Sequence, residues 1–177
     1  MKVSIGALAC LLTAAALAAA GCSKGTIGSP VSTKSDIPID QQWALLQKQG
    51  LLPTLDVSSS VPGTDANGNG VRDDLDKFIA SLPDSAAQKN ALTQLAQAVQ
   101  AAMTVDTTNA TAVATVSLNL NRADTCIWAV YPSGQSAKAM TIEELSVNTL
   151  NRLKAYEQYN AARDGAVDPA LTGNTCN

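Results

Sequence analysis

Val113, Val116, Leu120, Ala123, Ile127 and Val130 recur at intervals of 3, 4, 3, 4 and 3, the spacing that lines apolar side chains along one stripe of an α-helix. Such a stripe is not left in water, so the rest of the chain must supply matching apolar faces. Val116, Leu118 and Leu120 also alternate as in a strand. That alternation is short beside the helical pattern and no turn pair brackets a hairpin, so the segment reads as helix.

The neighbouring segments carry the same periodicity. Residues 40–49 read as a first helix around Trp43, Leu45 and Leu46, stopped by Gly50 and Pro53. Leu75, Phe78, Ile79 and Leu82 form a second stripe that ends at Pro83. Asp84 or Ser85 can cap a third helix bearing Leu92, Leu95, Val99 and Met103, followed by an uncapped polar stretch at residues 106–109. Thr141-Ile142-Glu143-Glu144 has the capping-box form. It predicts a fifth helix running to about Arg163, with Leu145, Leu150, Leu153, Tyr156 and Tyr159 inward and Gly165 as its stop. The expected fold is all-α, a small antiparallel bundle of about five helices in residues 37–177, enough chain for one core but not two.

Ahead of this domain, Met1-Lys2 and an apolar run from Ile5 to Ala20 read as a signal peptide over residues 1–21. The run is short for a membrane span and is followed by the polar Ser23-Lys24-Gly25. Its ending, Ala19-Ala20-Gly21-Cys22, resembles the lipobox of bacterial lipoproteins. The resemblance implies that Cys22 carries the lipid and becomes the first residue, and that Ser23 after it directs the protein to the outer membrane, facing the periplasm. A plain secretory signal is the alternative. Residues 22–36, rich in Ser, Thr, Gly and Lys, then read as a flexible tether holding the domain roughly 20 Å from its anchor.

Four cysteines are present. Cys10 falls in the signal and Cys22 takes the lipid, which leaves Cys126 and Cys176 to form one disulfide in an oxidising compartment, or to stay as two buried thiols. Such a bridge would contribute about 2–4 kcal/mol.

The chain has no histidine, 15% charged residues and a formal charge of −3. Ser-His-Asp and Cys-His triads and His-ligated zinc are therefore excluded. With twelve basic residues against fifteen acidic and no basic cluster, there is no electrostatic footprint for nucleic acid.

One loop carries metal chemistry. Residues 65–76 place oxygen-bearing side chains at positions 1, 3, 5, 9 and 12 with glycine at position 6, the arrangement that wraps hard oxygens around Ca²⁺. The candidate ligands are Asp65, Asn67, Asn69, the Val71 carbonyl, Asp73 and Asp76; Gly70 supplies the turn and Asp74 is expected to face solvent. The segment resembles thrombospondin type 3 calcium loops more than a standard EF-hand, which implies a structural ion. It also resembles proteobacterial lipoproteins in which an Asn-Gly-Val-Arg-Asp-Asp segment precedes helices, a likeness that implies no known activity. Asparagine at positions 3 and 5 lowers the ligand charge and suggests an affinity of about 10⁻⁴–10⁻³ M. Pro62-Gly63-Thr64 leaves no entering helix to work as a lever, so a calcium switch is not expected. A metal-free loop that caps the helix beginning near Asp73 is the alternative.

Glu143 and Glu144 read as helix-start residues favouring the dipole rather than as an acid pair. Trp128, Tyr131, Tyr156 and Tyr159 read as packing residues before a sugar- or peptide-binding surface. The expected function is a lipid-anchored, non-enzymatic envelope protein with a structural Ca²⁺, acting as a structural or protein-interaction module. The alternatives are an inhibitor or immunity-type lipoprotein that binds an envelope enzyme, and an enzyme built on two acids converging in a pocket away from the loop.

Overall fold

The computed structural model describes residues 39–50 and 53–177. The signal peptide, Cys22 and the tether lie outside the described residues, as does the side chain of Trp43. Six helices and no strand are present among the described residues: α1 (Ile39–Lys48), α2 (Asp73–Ser81), α3 (Ala86–Thr104), α4 (Ala110–Val130), α5 (Gln135–Ser146) and α6 (Leu150–Ala162). The chain is all-α, as the apolar spacing predicts.

Helix α3 is the centre, packed against α2, α4, α5 and α6. Its start is fixed by a capping box, in which the Ser85 hydroxyl accepts from Gln88 N–H and the Gln88 side chain accepts from Ser85 N–H. Leu92, Leu95, Val99 and Met103 are all buried, and small Ala91, Ala96, Ala98 and Ala102 let neighbouring helices come close. Helix α4 buries Val113, Val116, Leu120, Ala123 and Ile127, so its 3,4 stripe is the core face. The Gln88 side chain at the start of α3 donates to the Val130 carbonyl at the end of α4, which makes the two helices antiparallel. The stretch before α4 is not uncapped: Asn109 accepts from Ala112 N–H and serves as its N-cap. In α1, by contrast, Leu45 and Leu46 stay exposed.

Cys126 on α4 and Cys176 form a disulfide across a sequence separation of 50 residues. Beside it the buried Gln94 side chain donates to the Thr175 carbonyl and accepts from Asn177 N–H, so the chain end is clamped onto α3 as well as α4.

The expected single helix from Thr141 to about Arg163 is two helices. Helix α5 begins earlier, after Gly134 at φ 73°, and ends at Ser146; α6 restarts after Thr149, whose hydroxyl accepts from Arg152 N–H. Thr141 lies inside α5, its hydroxyl turned back to the Ala137 carbonyl, so its capping-box form is coincidental. The break has a clear cause. Arg72 donates to the Ser146 and Leu145 carbonyls, groups that an uninterrupted helix would pair with N–H groups four residues on. The break also turns α6 about its axis: Leu150 is 65% and Leu153 40% exposed, whereas Arg152 and Tyr159 are fully buried.

Candidate functional site

The loop at residues 65–76 closes at its neck, where Asp73 N–H donates to the Thr64 carbonyl. Gly68 and Gly70 adopt φ 68° and 81°, conformations that let the chain double back. The Asp65 carboxylate accepts from Asn69 N–H and Gly70 N–H at 3.2 and 2.8 Å. Asn67 Oδ1 accepts from Asn69 N–H and Asn69 Oδ1 from Val71 N–H, which turns both side chains across the arc. Their amide nitrogens donate to one atom, Asp76 Oδ2, at 3.0 and 2.9 Å. Asp73 Oδ1 accepts from Ala66 N–H.

The structure thus brings Asn67, Asn69 and Asp76 into direct contact, and ties Asp65 and Asp73 to the same arc through backbone N–H groups. It does not gather the three carboxylates at one point: among the described residues no three carboxylate or thiolate side chains form a metal-holding group. The loop is joined to the core on both sides, with Val71 and Leu75 buried beneath it and Gln97 of α3 donating to the Asn69 carbonyl at 2.7 Å.

Asp74 does not face solvent. Its carboxylate accepts from Arg72 Nε and Nη2 at 2.9 and 2.8 Å, and from Asp56 N–H and Leu75 N–H. Burial pushes this carboxyl up, but the Arg72 guanidinium and the two N–H groups outweigh it and hold it below the ordinary carboxylate range. Arg72 and Arg152 are both fully buried. Arg152 donates to the Ser60, Val61 and Asp56 carbonyls and to Asn148 Oδ1, which straps residues 56–61 onto α6. Burial, then the charge of Arg72, lowers the Arg152 pKa.

Apolar periodicity does not reveal this cluster, because arginines are ordinarily kept out of core stripes. The one available signal is that Arg152, Ala155, Tyr156 and Tyr159 share helical spacing, a stripe recognisable only once an arginine is admitted to it.

A second site lies between α4, α5, α6 and residues 168–170, in a cleft of ≈ 480 Å³. Glu143 belongs to it: it sits in the last turn of α5, not a first turn, so it caps nothing and reaches the cleft with Asp124 of α4. Burial raises the Asp124 carboxyl. Burial, then the charges of Asp124 and Glu144, raises that of Glu143. Tyr156 lines the same cleft, and burial, then the charges of Glu143, Tyr159 and Asp124, pushes its hydroxyl up to about 12. Its ring stacks on Tyr159 at 6.1 Å. Of the other aromatics singled out, Tyr131 is core and Trp128 is 61% exposed.

No helix among the described residues is long and apolar enough to cross a membrane. Set against protein-family models, curated proteins and solved structures, the chain matches none.

Proposed function

We propose that the chain is an exported, lipid-anchored protein of the bacterial cell envelope, held at the outer membrane and facing the periplasm. Its loop at residues 65–76 binds one structural Ca²⁺, and the domain works as a structural or protein-interaction module rather than by catalysis. The observation that supports the calcium reading best is the convergence of Asn67 and Asn69 on Asp76 Oδ2, inside an arc already closed by the Thr64–Asp73 hydrogen bond. Side-chain oxygens of Asp65, Asn67, Asn69, Asp73 and Asp76, with the Val71 carbonyl, are the hard donors this ion takes. A half-turn of each amide about its Cβ–Cγ bond would exchange its N–H group for its oxygen, releasing the bonds these oxygens accept from Asn69 and Val71 N–H. Because the same arc carries Val71 and Leu75 into the core, an ion that fixes the loop also fixes the start of α2. The export and anchoring reading rests on Ala19-Ala20-Gly21-Cys22.

Thermal unfolding with millimolar Ca²⁺ and with chelator tests the metal reading. At millimolar Ca²⁺, about one to ten times a Kd of about 10⁻⁴–10⁻³ M, an ion that binds only the folded state adds about 0.4–1.4 kcal/mol. The expected result is a calcium-dependent rise in Tm that is lost in Asp76→Ala and Asp65→Ala. An unchanged Tm removes the metal from the proposal. Mass spectrometry of the mature N-terminus tests the lipid on Cys22.

A further inference from the structure

Asn67-Gly68 and Asn69-Gly70 are the two Asn-Gly pairs in the chain, and all four residues are exposed. An asparagine followed by glycine is open to attack by its own backbone. The next residue's amide nitrogen can bond to the side-chain Cγ, and glycine, having no Cβ, leaves that approach unobstructed. Both asparagines are folded for it. Asn67 Oδ1 accepts from Asn69 N–H at 3.0 Å and Asn69 Oδ1 from Val71 N–H at 2.8 Å. These are turns in which the asparagine side chain curls back over the peptide that follows it.

The two pairs differ in the nucleophile. Gly70 N–H donates to Asp65 Oδ2 at 2.8 Å. Its nitrogen is thereby kept protonated, because removing that proton would set an amide anion against a carboxylate. Gly68 N–H donates to no group among the described residues, and it is open to solvent.

We propose that Asn67 is a site of spontaneous deamidation and that Asn69 is protected from it. Gly68 N gives up its proton to solvent base and bonds to Asn67 Cγ. The Cγ–Nδ2 bond breaks, ammonia leaves with a proton taken from solvent, and a cyclic imide remains. Water opens the imide at one carbonyl to give aspartate, or at the other to give isoaspartate, whose main chain runs through the former side chain. The net change consumes one water and releases one ammonia.

The aspartate product alters the loop. Asn67 Nδ2 donates to Asp76 Oδ2 at 3.0 Å. After deamidation two carboxylates face each other there with no proton between them, a cost that a cation relieves. A carboxylate also has an oxygen at each corner, so it offers one to an ion without the half-turn an amide needs. Resting on the calcium reading, this consequence is a tighter Ca²⁺ site, its ligand charge raised at loop position 3. The deamidation itself needs no metal.

The full mature protein, held with chelator at mildly alkaline pH, digested in acid and mapped by fragment mass spectrometry, reports on both asparagines at once. Asn67 is expected to react at least about tenfold faster than Asn69, the factor that a charge-assisted hydrogen bond on Gly70 N–H supplies. In urea the two should react alike. Gly68→Ala, whose Cβ would meet nothing beyond its chain neighbours, should fold and slow Asn67, and Asp65→Ala should speed Asn69. Equal rates in the folded protein, or an Asn67 that stays intact, overturn the proposal. Calorimetric titration of Asn67→Asp with Ca²⁺ reads the consequence, about tenfold tighter binding than the wild type. An unchanged affinity overturns the tuning, whereas a wild type that binds no Ca²⁺ removes the calcium reading and leaves the modification site standing.

Discussion

Arg72 and Asp74 meet fork to fork, Nε to Oδ1 at 2.9 Å and Nη2 to Oδ2 at 2.8 Å, with the arginine wholly out of water. The pair sits inside the candidate calcium loop, yet its work is done outside it. Through Arg72 it caps the end of α5, and through Asp74 it holds the backbone of Asp56. Removing one member of a buried pair strands the other, at a cost of about 3–5 kcal/mol. Arg72→Ala and Asp74→Ala should each lower stability by that order in urea unfolding. Arg72→Lys should recover only part of it, because an ammonium cannot serve the carboxylate fork and two carbonyls together.

Gly63 is the hinge that lets this cluster close. At φ +69° it lies where a Cβ would come within 2.5 Å of Arg72 Cδ, 2.9 Å of Asp56 Oδ2 and 3.0 Å of Arg152 Nη2. Gly134 has nearly the same backbone, φ +73°, with open space around it. Gly134→Ala therefore meets only the left-handed penalty, about 1 kcal/mol, whereas Gly63→Ala should cost at least about 2 kcal/mol more by displacing buried arginines. Paired denaturation curves separate the two, and equal losses would mean the arginines are not held as described.

The bundle was legible because its apolar residues follow helical spacing wherever a helix buries one face: α3 and α4 present the stripes predicted for them. The segment from 135 to 163 was not legible, because its break comes from a long-range contact. Nothing near Val147 or Asn148 in sequence announces that Arg72 will claim the carbonyls of Leu145 and Ser146. The same blindness placed Asp74 in solvent, since adjacent acids in a loop look alike until an arginine two residues away folds back on one of them. The turn within the loop could be read from spacing, as the hydrogen bonds among Asp65, Asn67, Asn69 and Asp76 are local. Glu143 could not, because its role depends on which turn of α5 it occupies.

The disulfide closes a long loop around α5 and α6. Chain-entropy reasoning gives about 4 kcal/mol for a closed loop of 50 residues. Cys126→Ser with Cys176→Ser should lower stability by about 2–4 kcal/mol. The loss should be felt first at the chain end, where Gln94 holds Thr175 and Asn177. Hydrogen exchange should show Asn177 N–H losing protection while the α3 amides keep theirs near the global limit.

Glu143 offers a test of the cleft. Its carboxyl is raised above the ordinary 4.5 by burial, then by Asp124 and Glu144, so between that value and its folded pKa the native state binds more protons than the unfolded chain. Stability therefore falls as pH rises through this window, and the deficit persists at neutral pH. Glutamine has no charge to lose. Glu143→Gln should raise Tm by about 1–3 °C at pH 7, and the gain over the wild type should shrink as pH falls towards 4.5 and vanish below it. Carboxylates held low by partners, such as Asp84 beside Lys138 and Tyr131, lose their contribution only below the ordinary 3.8. The two effects therefore occupy different pH ranges and can be separated in one titration of Tm. A Glu143→Gln variant less stable than the wild type at pH 7 would mean the carboxylate already has a partner.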